Sequence, residues 1–377
     1  MTAADRIVLS YICKVLNKEY VVNQKLFYNA NWEEVIDIAT IQGVLGLCFD
    51  AIELLPAECR PDMESLMEWL GQTSNIETYY EEHRKAITDL CGFYDDNGIK
   101  MMLLKGYGLS KYWPKPNHRP IGDIDIYLQD KRGKLEVDSN ESLWVRGDRL
   151  VAEKLGIKVE TGHEHHTTFY FKGIMVENHY DFINIKAHKD ASKIEKELKS
   201  LADREFESIK IEIGGKTREV RIPSVDFNVI FLIRHLGQHF AGERISLRQL
   251  LDWGLFIQNE QDNINWINII PFLKEMEIWT FFNQINAICV HYLGITMRSD
   301  LYKEEKPELM KRIVNDIFHP EFSEDKPAAL LPIIWFKTKR WWYNRWKHPL
   351  VYKEWLLPMF ITLLWSHIRR IKTIKDG

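Results

Sequence analysis

The chain has 377 residues, 45% of them hydrophobic and 12% aromatic, enough to bury a sizeable core in two or three domains. Five scattered cysteines (Cys13, Cys48, Cys59, Cys91, Cys289), odd in number and without CxxC spacing, argue against a disulfide framework or a cysteine zinc module and for reduced thiols in a cytoplasm. The net charge of −4 hides an asymmetry: residues 328–377 hold ten Lys/Arg against two Asp/Glu, so the rest is clearly acidic and nucleic acid is an improbable main substrate.

In chain order, residues 5–20 space their apolar residues as an amphipathic helix, and no signal-peptide pattern is visible in the first fifteen. Trp32–Ala39 and Val44–Leu55 read as two further helices, parted at Gly43 and ended by Pro56. Asp62 to Asn97 carries helical periodicity, stopped by Asn97-Gly98. Residues 1–98 thus form an N-terminal helical region. A sheet-bearing core is expected over 99–222, a C-terminal helical region over 223–320, and a basic, Trp-rich tail over 321–377.

Within the core, the apolar run Met101–Leu104 stops at Lys105-Gly106, with Gly108 close behind, which predicts a strand, a sharp turn and a short helix broken by Pro114 and Pro116. Asp123-Ile-Asp-Ile-Tyr-Leu128 alternates as a strand, so Asp123 and Asp125 share one face and Ile124 and Ile126 the other. Two carboxylates at that spacing repel, and a divalent cation is the usual remedy; the bland alternative is a solvated half-strand. A polar loop follows from Gln129, then a short helix over Arg149–Leu155 and a strand at Ile157–Glu160. Thr167–Phe171, the turn Lys172-Gly173 and Ile174–Asp181 read as a hairpin whose second arm places Glu177, His179 and Asp181 on one face. Ile209–Ile213 and Arg218–Ile222 make another hairpin. Ser224 is a plausible N-cap for Val225–Phe240; Ser246–Gln258 and Ile264–Tyr292 continue the helical pattern.

Lys105-Gly106, followed by Arg119-Pro-Ile-Gly-Asp123-Ile-Asp125-Ile, resembles the signature of the polymerase-β-like nucleotidyltransferase superfamily, in particular an uncharacterised bacterial branch, nucleotidyltransferase family 5. Most of the superfamily has Gly-Ser where this chain has Lys105-Gly106; family 5 and the abortive-infection-type branches are similar to it in having Lys-Gly. Trp32-Glu-Glu-Val-Ile-Asp-Ile-Ala, His235-Leu-Gly-Gln-His239 and Arg248-Gln-Leu-Leu-Asp252 resemble that family's flanking helices, so the likeness runs from roughly residue 30 to 260. The resemblance implies an α+β fold with a small mixed sheet flanked by helical regions. It also implies transfer of an NMP from an NTP to a hydroxyl-bearing acceptor with release of pyrophosphate. Asp123 and Asp125 would hold Mg²⁺ or Mn²⁺, and Glu177, with Asp181 in reserve, would supply the third carboxylate. Lys105, Gly106, Gly108, Arg119 and His179 would meet the nucleotide, Arg119 either on a phosphate or on a carboxylate that fixes the Asp loop.

Other constellations weigh less. His235 and His239 lie at i and i+4, the zinc spacing, but Leu236 stands where a hydrolytic zinc helix carries glutamate; histidines lining a polar cleft or hydrogen-bonded in the interior are the favoured reading, and the family resemblance implies that they border the nucleotide pocket. His163-Glu-His-His166 reads as a hydrated loop, with metal binding the lesser reading. No P-loop, dinucleotide turn or nucleophile elbow is present. A glycosyltransferase holding a nucleotide sugar through Asp123-x-Asp125 would need βαβ units ahead of the motif, where helices are expected; a non-catalytic nucleotide-binding descendant is the other alternative. In the tail, Trp335–Lys347 interleaves aromatics with cations, and Leu356–Trp365 is too short to span a bilayer. Docking on the protein's own acidic body is the favoured reading of the tail, ahead of a membrane surface and then nucleic acid.

Overall fold

The computed structural model describes residues 1–130, 141–185, 188, 190–324, 327 and 330–353. The polar loop expected after Gln129 and the apolar stretch Leu356–Trp365 fall mostly or wholly outside them.

The architecture is α+β: helices enclose a six-stranded mixed sheet. Four helices come first, α1 (Ala3–Leu16), α2 (Trp32–Ile41), α3 (Leu45–Ala51) and α4 (Met63–Asp96). Local signals set their ends. Thr2 and Asp5 close a capping box on α1, Asn31 caps α2, and Asp62 accepts the Ser65 amide at the start of α4. No strand precedes the sheet among the described residues, so the βαβ units of a nucleotide-sugar domain are not seen ahead of the motif.

The core then runs β1 (Lys100–Leu103), α5 (Tyr107–Ser110), β2 (Ile124–Gln129), α6 (Leu143–Leu155), β3 (His166–Phe171), β4 (Ile174–His179), α7 (Ala191–Arg204), β5 (Phe206–Ile213) and β6 (Lys216–Pro223). Spatial order is β3-β4-β2-β1-β6-β5, with β2/β4 and β1/β6 parallel and the other pairs antiparallel. Both expected hairpins form, on turns that put Lys172 and Gly173, then Gly214 and Gly215, at positive φ. The helix expected at Arg149 begins earlier, because Leu143, Leu150 and Val151 at i, i+7 and i+8 share the face buried on the sheet. Ile157–Glu160 contributes one isolated bridge, Glu160 to Thr168, rather than a strand.

Alternation along β2 sorts the sheet's two faces. Ile124, Ile126 and Leu128 join Met101, Leu103, Phe169 and Val176 in a core closed by α6 and the second half of α4. Asp125 and Tyr127 point the other way, toward the C-terminal helices α8 (Val225–Gly242), α9 (Leu247–Glu260), α10 (Trp266–Glu275), α11 (Trp279–Leu293) and α12 (Pro307–Phe318). The helix expected over Ile264–Tyr292 is two, since the chain reverses at Glu277, a non-glycine residue at φ 56°. α1 to α3 share their core with α8 to α12, and the tie is polar as well as apolar: Gln42 donates to the Ile317 carbonyl and accepts from the Leu247 amide.

The tail begins as α13 (Leu330–Asn344) and α14 (His348–Val351), both packed on α8. Lys347 is fully buried and pairs with Asp316 at 2.6 Å, and Arg340 pairs with Glu243 at 2.9 Å. The described part of the tail therefore docks on the protein's own body through charge complementarity.

Candidate functional site: a carboxylate cluster beside a cationic pocket

Parallel pairing of β2 with β4 sets Asp125 opposite Glu177 and Tyr127 opposite His179, while β3 adds Thr168 and His166 to the same rows. A period of two then lines Asp125, Glu177, His179 and His166 along one face near the strand ends. Asp123 stands just ahead of β2, about one-third exposed, and Asp125 is buried.

Two cations hold the acids together. Lys105 Nζ lies 3.1 Å from Asp125 Oδ1 and 4.0 Å from Asp123 Oδ2. His179 Nε2 lies 3.0 Å from Asp125 Oδ1 and 3.4 Å from Glu177 Oε2. Burial alone would push the Asp125 carboxyl up, but Lys105 and His179 outweigh it and hold it well below the usual carboxylate range. Burial opposes charge on His179 as well, yet its bonds to Asp125 and Glu177 raise it to about 9. Glu177 is lowered against burial by the same bond to His179, and Lys105 is raised against burial by Asp125, Asp123 and Glu177. Asp123 has the opposite balance: burial and then Asp125 push it up. Among the described residues, Asp125, Glu177 and His179 offer donor atoms within 4.8 Å of one another. Asp125 Oδ2 is buried without a hydrogen-bond partner, an acceptor that a divalent cation would satisfy.

Beside the cluster lies a cavity of about 230 Å³ between the core and helices α8 and α9, lined by Lys105, Gly106, Asp123, His235, His239, Arg248, Gln249 and Trp253 among others. The motif's turn is built for this wall. Gly106 adopts φ 64° and ψ −110°, a conformation open to glycine almost alone. Gly108 is buried within the turn and its amide donates to the Lys105 carbonyl at 3.3 Å, so that amide is already spent. His83 on α4 steadies the approach to Asp123 through its Nε2, 2.6 Å from the Gly122 carbonyl oxygen.

Of its two expected partners Arg119 meets a carboxylate, that of Asp252 on α9: its Nε and Nη2 contact Asp252 at 2.7 and 2.8 Å, a bidentate pair that also receives the Trp113 indole N–H. Asp252 is thus committed elsewhere and gives His235 and His239 no third ligand. Their rings sit 4.5 Å apart on the cavity wall, and burial, followed by the charge of Lys105, lowers both. Asp181 does not join the cluster: β4 has ended at His179, so the alternation lapses, and Lys199 on α7 takes its carboxylate at 2.5 Å. Arg248 carried no site role in the sequence, and His166 was read within a hydrated loop, with metal binding as the lesser alternative. Arg248 reaches the cavity and donates to the Pro120 carbonyl at 3.2 Å. His166 is no loop residue but the first of β3, buried and, by burial, lowered to about 4. The signal available for His166 was its place two residues before Thr168 on a face-sharing strand.

The model of an uncharacterised nucleotidyltransferase family matches residues 28–294, and the chain belongs to that family. No curated protein and no solved structure matches it.

Proposed function

We propose that the protein transfers an NMP from an NTP to a hydroxyl-bearing acceptor, releasing pyrophosphate, on a core of the polymerase-β-like type. The observation that carries this reading is the register of Asp125 against Glu177, which gathers a buried and a half-buried carboxylate with Asp123 beside a cavity walled by Lys105 and Arg248. Hard oxygen donors suit Mg²⁺ or Mn²⁺, and Asp123, Asp125 and Glu177 would hold it. Such a cation, when bound, neutralises the triphosphate and favours loss of pyrophosphate and of the acceptor proton.

The chain's own groups do the rest. Lys105, tethered to Asp125 without the nucleotide, is within reach of phosphate oxygens that enter the cavity, and Arg248 offers a second cation on the opposite wall. His235 and His239, kept neutral by burial, present hydrogen-bonding nitrogens to the nucleotide. His179 fixes the orientation of Asp125, and the Arg119–Asp252 pair holds the loop ahead of Asp123 against α9. With the Gly108 amide spent inside its turn, phosphate binding falls to side chains more than to the glycine backbone.

The test is label transfer from α-labelled NTPs to a lysate of the source cell. Asp123→Asn and Asp125→Asn should each lower transfer by about a thousandfold or more, the scale of losing several kcal/mol of charge stabilisation, with an unchanged circular dichroism spectrum. Full transfer by either variant would end the proposal. NTP-dependent thermal stabilisation without any labelled product would instead mark a binding protein.

No described helix is long and apolar enough to cross a membrane. The outward face of α13 nonetheless exposes Trp335, Trp342 and Tyr343, with Arg345 beside Trp342, which supports a peripheral contact with an anionic membrane surface. Flotation with anionic vesicles, lost in a Trp335→Ser/Trp342→Ser variant, is the expected outcome.

A further inference from the structure

A second group of donors lies beside the carboxylates, and two of its members, His165 and His166, are left over by the transfer chemistry. His166 opens β3 directly across from His179 on β4, and His165 precedes it. The ring centroids of His165 and His166 are 4.6 Å apart, those of His166 and His179 5.2 Å, and those of His165 and His179 5.6 Å. One nitrogen from each of the three falls within 4.8 Å of the others. His165 is no drifting loop residue, because its carbonyl accepts the amides of Tyr180 and Asp181 at 3.1 and 3.2 Å.

The ring of His166 is the anomaly. It is 7% exposed, and neither Nδ1 nor Nε2 has a hydrogen-bond partner; Nδ1 of His165 is buried in the same state. A neutral imidazole always carries one N–H, so such a ring bears a desolvation cost that proteins normally avoid. Metal ligation relieves it. Two ligands about 2.1 Å from a tetrahedral ion are separated by roughly 3.4 Å. His166 Nε2 is 3.6 Å from Glu177 Oε1, too long for a hydrogen bond, and His179 Nε2 is 3.4 Å from Glu177 Oε2; both distances are close to that ligand–ligand separation. His179 can join as a ligand once a metal ion displaces the proton its Nε2 shares with the carboxylates; its Nδ1 faces the Asp181 carbonyl oxygen at 3.3 Å, and an N–H donated there keeps Nε2 turned toward them.

We propose that His165, His166 and His179, with Glu177, form a nitrogen-rich site for a transition-metal ion of the Zn²⁺ and Co²⁺ class, adjoining the oxygen-only position at Asp123 and Asp125. Imidazole donors select such ions over Mg²⁺, whereas the aspartates and a triphosphate select the reverse. The site shares Glu177 and His179 with the proposed transfer chemistry but does not depend on it.

Co²⁺ is the probe, because its visible d–d bands report ligand type and number independently of activity. Untagged full-length protein should bind one equivalent of Co²⁺ with four-coordinate bands that a large excess of Mg²⁺ does not erase. His166→Ala and His165→Ala should each weaken binding at least about tenfold, while Asp123→Asn, which stops transfer under the reading above, should retain it. His165 lies at the more exposed end of the cluster, so its variant keeps the test decidable if His166→Ala does not fold. X-ray absorption at the cobalt edge of the wild type should report imidazole ligation. Absence of Co²⁺ binding, its displacement by Mg²⁺, or wild-type affinity in His165→Ala would overturn the proposal; loss of transfer with Co²⁺ binding intact would touch only the transfer reading.

Discussion

Arg119 and Asp252 are 133 residues apart, and their pairing has a testable weight. Both are buried, and the guanidinium forks onto the carboxylate while Trp113 donates to the same oxygen. Asp252→Ala leaves a buried cation without a counterion, which should cost about 3–5 kcal/mol in urea denaturation. Arg119→Lys should not restore full stability, because an ammonium cannot reproduce the two-pronged contact. A neighbouring residue gives a pH signature. His118 is buried between Asp50 on α3 and Glu77 on α4, at 3.0 Å from each. Burial disfavours its charged form, but the bond to Asp50 and then Glu77 prevail and raise its pKa. A raised histidine contributes stability that is complete below its unfolded value, about pH 6.5, and is lost as pH climbs through the folded value. The thermal midpoint of the wild type should therefore fall by about 2 °C more than that of His118→Gln between about pH 6 and about pH 9. Equal slopes would remove His118 from the account.

At the scale of elements, the close approach of α3 to the loop carrying Arg119 and Asp123 matters most. A Cβ on Gly46 would stand 2.8 Å from the His118 carbonyl oxygen and 3.1 Å from its Cα, so either the helix or the loop backbone must move. Gly46→Ala is expected to destabilise by about 1–3 kcal/mol, as overpacking does, and to raise KM for the NTP, although Gly46 lines no cavity. The turn after β1 responds differently. At Gly106 an added Cβ meets nothing nearer than 3.6 Å, so any penalty in Gly106→Ala comes from backbone strain at φ 64°, about 1–3 kcal/mol, and should appear both in thermal stability and in Lys105's hold on nucleotide. An unaltered melting curve for Gly106→Ala would mean that the turn relaxes.

Across the whole molecule, α1 to α3 and α8 to α12 cover one face of the sheet with a shared core, α6 covers the other, and α4 contributes to both. The tail closes this arrangement through Lys347 and Asp316. Burial drives Asp316 up and Lys347 down, each toward its neutral form, so the pair is held by mutual attraction against a desolvation cost. Lys347→Met alone should cost about 3–5 kcal/mol, whereas Lys347→Met with Asp316→Leu should recover most of that loss or exceed the wild type in a chemical melt. A double variant as unstable as the single one would assign the effect to packing against Phe240 and Trp346 instead.

Local patterning determined a good deal on its own. Period-two alternation separated Asp125 from Ile124 and Ile126, glycine and asparagine placed the turns at 98, 106, 173 and 214–215, and Ser224 and Asp62 marked helix starts, because each depends on neighbours within a few residues. The Lys-Gly and Asp-x-Asp motif carried the family as well. Only the tertiary structure decided which carboxylate from the second arm of the first hairpin meets Asp125. Asp181 and Glu177 are alike in a one-dimensional pattern, and the choice rests on where β4 ends and which row it shares with β2. Arg119's partner, the wall at Arg248 and the burial of His166 were equally hidden. Each is a contact between segments far apart in the chain, and side-chain spacing holds no information on how such segments meet.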